Sequence, residues 1–315
     1  MSATRAADPI ETYIRHQDFK LLIGGELCDA ADGSVLETVD PSTGETLTEV
    51  PRAGARDVAR AYEAAAAAQP AWEALGVEGR SEVFAALAAA ISANEERLAM
   101  LDAIDGGLPA AAARIDIKIS LANIRDWPML VRWHGGRTIP ASPGNLHYTS
   151  YRPYGVVAKI LAYNHPAMFA ITRTLAPLIA GNAVIVKPAP QVPLSALAFG
   201  EIVREVFPPG VFNVLAGGAE AGDAMVTHPG IKRIGFTGSV PTGLKIQQRA
   251  ASAAVKHVSL ELGGKNPMIV FPDADLDAAV EGAVNGMNFG VCAGQSCGSN
   301  SRNYVHRDIY EEFVG

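Results

Sequence analysis

Cysteine is scarce in this sequence of 315 residues: Cys28, Cys292 and Cys297 are the full set. An odd, scattered trio builds no disulfide framework. None forms a CxxC pair, and no histidine cluster has metal-ligand spacing, which argues against structural zinc. Long hydrophobic runs are missing as well. No apolar stretch approaches the roughly eighteen residues that span a bilayer, and Met1 to Phe19 has no signal-peptide core. The net charge is −7, yet no basic run breaks the balance, which argues against a nucleic-acid partner. Internal repeats and low-complexity linkers are also absent. The expectation is a soluble, cytoplasmic protein with no metal, no membrane and no nucleic acid among its partners.

What is present points to a large core. The chain is 49% hydrophobic and 19% charged, and its length exceeds one typical domain. Residues 20–50 read as short strands, with a turn at Asp40-Pro41-Ser42-Thr43-Gly44. Residues 55–110 carry helical periodicity: Val83, Leu87 and Ile91 repeat at i, i+4 and i+8, Ser81 is placed to cap, and Gly106-Gly107 stops the run. A further helix extends to about Trp133, and residues 136–152 read as an extended arm. From residue 153 short apolar strands alternate with helices: 156–161, 167–179, 184–186, 194–206, 211–215, 219–226, a strand opening at Ile234, and 242–254. That alternation predicts an α/β fold with a doubly wound parallel sheet, which takes ligands at the strands' C-terminal ends. At the end, residues 306–313 read as a helix with an Asp308 cap, cut short at Gly315.

Several motifs sit at those strand ends. Gly238, Ser239 and Gly243 lie between a strand and a helix, a pattern that suits a tight turn, close helix packing and phosphate oxygens. Taken alone, the pattern favours a purely structural turn over a phosphate site. Lys187 follows the buried strand 184–186, either as a solvated strand-end lysine or as a ligand donor. Asn164 can donate to an oxyanion or merely form a turn before Pro166; His165, with no carboxylate visible nearby, reads as pocket-lining. Glu261 emerges from an apolar strand, as a general base or as an ion-pair partner of Lys265. Cys297 has Gly294, Gln295, Gly298 and Ser299 as neighbours, which suits an exposed, activated thiol better than a core one; Cys292 has apolar neighbours and reads as inert.

Taken in order, these segments resemble the NAD(P)-dependent aldehyde dehydrogenase superfamily over about residues 20–315. The matching runs are 40–45, Arg152-Pro153-Tyr154-Gly155, Asn164-His165-Pro166, Val186-Lys187-Pro188, Phe207-Pro208-Pro209-Gly210, Phe236-Thr237-Gly238-Ser239, the Glu261 motif, and Gly294-Gln295-Ser296-Cys297 with Arg302. The resemblance implies that Cys297 is the nucleophile, that Asn164 and the Cys297 N–H form an oxyanion hole, and that Glu261 activates the hydrolytic water. It implies that Lys187 holds the adenosine ribose, that Gly238, Ser239 and Gly243 border the pyrophosphate, and that Phe236 and Leu262 complete the cofactor site. An aldehyde as substrate, a homodimer or homotetramer, and NAD or NADP are implied too. It divides the chain into a Rossmann-like cofactor domain (1–133 and 153–260), an oligomerisation arm (134–152) and the beginning of a catalytic domain (261–315).

Three departures bear on that expectation. Pro190 stands where NAD-preferring members often carry a Glu, which removes a repulsion against a 2′-phosphate and admits NADP. Tyr163-Asn164-His165-Pro166 replaces the usual Trp-Asn-Phe-Pro, making the substrate entrance more polar. Family members run well beyond 315 residues, so an N-terminal portion is expected. The alternatives are a CoA-acylating semialdehyde dehydrogenase, against which Glu261 speaks, and a catalytically inactive dinucleotide-binding fragment if the chain ends at Gly315. A cysteine-dependent hydrolase with no nucleotide is a third.

Overall fold

The unbroken apolar run Ala183-Val184-Ile185-Val186 becomes the centre of the molecule, a strand with every one of these side chains fully buried. A sheet covered on both faces, as parallel sheets are, buries a strand so completely. In a computed structural model, which describes residues 9–315, the chain opens with α1 (Pro9–His16). Two antiparallel pairs follow: β1 (Leu21–Ile23) with β2 (Glu26–Cys28), and β3 (Val35–Val39) with β4 (Thr46–Pro51). Next come α2 (Ala55–Ala74), α3 (Gly76–Ser92), α4 (Glu95–Gly106) and α5 (Ala110–Trp133). A hairpin of β5 (Thr138–Ile139) and β6 (His147–Tyr148) is exposed at every strand position.

The alternating part reads β7 (Val156–Ile160), α6 (Pro166–Ile179), β8 (Ala183–Lys187), α7 (Leu194–Arg204) and β9 (Phe212–Val214). It continues with α8 (Ala219–Thr227), β10 (Arg233–Gly238), α9 (Val240–Ala253) and β11 (His257–Leu262). The sheet order is β11-β10-β7-β8-β9-β1-β2, parallel from β11 to β9 and antiparallel beyond. Asn213 in β9 secures the junction: its amide oxygen accepts from the Gly24 N–H at 2.9 Å, and its nitrogen donates to the carbonyls of Gly210 and Val184. Helices α6 and α7, backed by α4 and α5, cover one face; α2, α8 and α9 cover the other. The last residues form β12 (Pro267–Val270), α10 (Leu276–Asn285), α11 (Phe289–Cys292), β13 (Arg302–Val305) and α12 (Tyr310–Val314). Strands β12 and β13 pair in parallel as a separate small sheet. The expected doubly wound α/β architecture is what the chain adopts.

Local differences have local causes. Ser81 caps nothing, because α3 starts at Gly76 directly after α2 and leaves Ser81 inside the helix, its hydroxyl donating to the Val77 carbonyl at 2.6 Å. Asp308 is not a cap either. It lies within a 3-10 turn (Arg307–Ile309) whose leading residue His306 accepts the Asp308 N–H on Nδ1. Strand β11 runs to Leu262, so the expected domain boundary at residue 261 falls within its last turn of pleat.

Candidate active site

From β7 the chain winds outward through β8 to β9, then returns to place β10 on the other side of β7. The loops after β7 and β10 therefore leave the sheet in opposite directions, and a crevice opens at their C-terminal ends. A cavity of about 550 Å³ lies there between α8 and α9, lined by Lys187, Pro190 and Asp223 and by Phe236, Gly238 and Ser239. That volume suits a small-molecule or cofactor site. Ser239 is the N-cap of α9 and accepts from the Thr242 N–H. Gly238 does not adopt the left-handed conformation of a tight turn; its missing side chain instead makes room for the Phe236 ring, which a Cβ would strike. Gly243 is on the buried face of α9, where a Cβ would stand 3.0 Å from Leu262 Cδ2. Gly243 and Leu262 thus pack α9 onto β11 behind the cavity and do not line it.

Lys187 is not the solvated strand-end lysine that its position also suggested. It is 5% exposed, and Nζ donates to the Pro188 and Gly217 carbonyls at 3.0 and 2.9 Å. Burial pushes its ammonium down to about 8. Asp223 is the one carboxylate on the cavity wall among the described residues, and Arg249 neutralises it through two bonds of 2.6 Å. Lys187, Lys245 and Arg249 leave the wall net positive, with the apolar ring of Pro190 at one edge. An anionic dinucleotide fits such a wall. Asp223, Lys245 and Arg249 had no sequence signal: they come from α8 and α9 and meet only when those helices pack.

Cys297 is exposed, as its neighbours suggested, and Cys292 is buried, which pushes that thiol up. Asn288, Ala293 and Gly294 all adopt left-handed conformations around α11, turning the chain toward Cys297. The cysteine loop is laced to the loop that follows Glu261. Asn266 Nδ2 donates to the Cys297 and Ser299 carbonyls at 2.7 and 3.1 Å, and Arg302 donates from two nitrogens to the Lys265 carbonyl. A Cβ at Gly264 would stand 2.7 Å from the Cys297 carbonyl oxygen, so this approach requires glycine. Glu261 lies at the exposed end of β11 and makes no ion pair with Lys265 among the described residues.

Asn164 follows β7 and is 8% exposed, with no hydrogen-bond partner for its side-chain amide among the described residues. His165 does have a carboxylate partner, contrary to the sequence reading. Asp116, on α5 and 49 residues away, sits 2.6 Å from its Nδ1. Asp116 is also close enough to Cys292 to raise that thiol further. The β7 loop, α5 and α11 thus converge.

The model of the aldehyde dehydrogenase family matches residues 28–315. Aldehyde dehydrogenase tropH of Talaromyces stipitatus is 41% identical over 310 residues, covering 97% of this chain and 59% of that protein. Aldehyde dehydrogenase [NAD(P)+] 2 of Saccharomyces cerevisiae is 39% identical over 303 residues, covering 95% and 60%. An NAD+ complex of aldehyde dehydrogenase from Bacillus cereus superimposes with a TM-score of 0.93 at 37% identity, covering 98% of this chain and 63% of that one. The chain therefore spans about three fifths of the length of the relatives it matches.

Proposed function

Because this chain belongs to the aldehyde dehydrogenase family, we propose that it oxidises an aldehyde to a carboxylic acid with NAD+ or NADP+ through a covalent adduct on Cys297. The Cys297 thiolate attacks the carbonyl carbon and forms a C–S bond. The resulting oxyanion accepts hydrogen bonds from the Asn164 side-chain amide and the Cys297 backbone N–H. A nicotinamide cofactor bound in the cavity would supply the acceptor for the hydride that leaves the former aldehyde carbon, oxidising the adduct to a thioester. Glu261 takes a proton from water, the water adds to the thioester carbonyl, and the acid leaves as the thiolate is restored.

Lys187 would hold the cofactor's ribose hydroxyls, and Ser239 with the N-terminus of α9 would receive its phosphates. Phe236 and Gly238 line the same cavity; Gly243 and Leu262 act from behind it. Pro190 presents no carboxylate to repel a 2′-phosphate, so both NAD and NADP fit. We divide the chain as a cofactor domain (1–133 and 153–260), an arm (134–152) and the beginning of a catalytic region (261–315). The arm's exposed hairpin is read as the surface through which copies assemble into a homodimer or homotetramer.

The observation that carries the reading is the lacing of the exposed Cys297 loop to the loop behind Glu261, beside a net-positive cavity. The test is turnover of an aldehyde panel by the intact protein, followed by reduced-cofactor absorbance with and without CoA. Cys297→Ala is expected to lower kcat by about 10³-fold or more, and Glu261→Gln to leave a burst of reduced cofactor but slow turnover. Full activity in Cys297→Ala, or turnover only when CoA is present, would sink the proposal.

A further inference from the structure

The turn that carries Asn164 is gripped from two sides by buried carboxylates that no step above uses. From α5, Asp116 meets the ring of His165, the residue next to Asn164, at 2.6 Å. From α4, Asp102 accepts the Ala167 N–H on both oxygens, at 3.2 and 3.0 Å. Asp116 and Asp102 are 3% and 1% exposed. One helical turn along α4, Asp105 caps the start of α7 by accepting the Leu194 N–H at 2.9 Å. The His165 ring also leans on Phe169, centroids 5.5 Å apart, so the turn is packed as well as bonded.

These carboxylates cost the fold more than it needs. A serine, threonine or asparagine would cap α6 without burying a charge. Charge-assisted bonds are shorter and stiffer, and stiffness matters where an amide has no partner of its own. The Asn164 amide waits for an oxyanion, so only its backbone can keep it aimed, and a misplacement of about 1 Å is costly to catalysis.

We propose that Asp102 and Asp116 are positioning residues for Asn164, holding the turn directly after it from α4 and α5 so that its amide is aligned before substrate arrives. This rests on the reading of Asn164 as oxyanion donor. Asp102 faces Asp105 on its own helix, Asp116 of α5, His165, and the Ser195 hydroxyl of α7. Burial, the largest influence, raises its carboxyl to about 7. Above that pH both oxygens accept from the Ala167 N–H; below it one oxygen carries a proton and the grip slackens.

The experiment compares Asn164→Ala, Asp116→Ala, Asp116→Asn, Asp102→Asn and the double variant Asp116→Ala/Asn164→Ala in the intact protein. It reads kcat, both KM values, cofactor affinity by fluorescence quenching, and the pH profile of kcat. Asn164→Ala is expected to lose about 10²–10³-fold in kcat. Asp116→Ala should lose about ten-fold with cofactor affinity unchanged, Asp116→Asn should recover most of that, and Asp116→Ala should add nothing once Asn164 is gone. A limb of the kcat profile near pH 7 should vanish in Asp102→Asn and in Asn164→Ala. Multiplicative losses in the double variant, or normal kcat in Asp116→Ala beside a crippled Asn164→Ala, overturn the positioning role. Normal kcat in Asn164→Ala overturns the donor reading beneath it. If Asp102→Asn does not fold, the Asp116 series decides alone.

Discussion

Lys187 combines a buried ammonium with two carbonyl acceptors and no carboxylate, an arrangement that holds a donor ready and keeps its charge uncompensated. Its folded value of about 8 lies below the ordinary 10.5, because burial disfavours the charged form. Between these values the unfolded chain binds the proton that the folded one has lost, so this residue's contribution makes stability rise with pH there. Cofactor affinity should move the other way, weakening above pH 8 as the charge on the cavity wall disappears. Lys187→Met is expected to weaken cofactor binding by about ten-fold and to flatten its pH dependence above 8, read by fluorescence titration. A wild-type titration independent of pH from 7 to 9 would contradict this. At this scale the sequence was a partial guide. Cys297 and Asn164 stood out by their neighbours, whereas Asp116 lies 49 residues from His165 and carries no local mark of its role.

Among the elements, the β5–β6 hairpin leaves large apolar side chains in solvent. Tyr148 is 67% exposed, Leu146 in its turn 72%, and Trp133 at the adjoining end of α5 is 88% exposed. Exposed apolar side chains of this size suit the assembly surface proposed for the arm. Replacing Leu146 with Glu and Tyr148 with Ser is expected to shift the protein toward monomers, measured by light scattering or sedimentation, with the cofactor cavity unaffected. An unchanged mass would remove the hairpin from the assembly. Periodicity made most elements legible, from the α3 repeat to the strand–helix alternation after residue 153. Their ends were less so: Ser81 and Asp308 are capping residue types, but each lies inside its helical segment because the neighbouring chain begins the helix earlier. Capping is decided by where a helix starts, and α3 starts at Gly76, ahead of Ser81.

Over the whole molecule, the buried acids shape the response to pH. Asp102 rises from 3.8 to about 7 and Asp105 well above 3.8, both chiefly through burial, and no described residue bonds to Asp105 Oδ1. For a raised carboxyl the folded state keeps its proton longer than the unfolded one. Stability is therefore full below about pH 4 on this account and falls as pH rises toward 7. For Asp102 the span corresponds to on the order of 4 kcal/mol. Asp102→Asn should remove most of that slope in denaturant unfolding between pH 4 and 7, and a wild-type curve flat over that range would contradict the assignment. The sequence by itself determined the sheet, because short apolar runs such as Ala183–Val186 alternating with helical stretches bury best as doubly covered strands, and it determined the exposure of Cys297 through its glycine-rich surroundings. Only the tertiary structure decided which charges face each other. The Asp223–Arg249 pair, the Asp116–His165 pair and the desolvation of Lys187 join residues whose separation along the chain carries no information about distance, since electrostatics and burial depend on packed geometry.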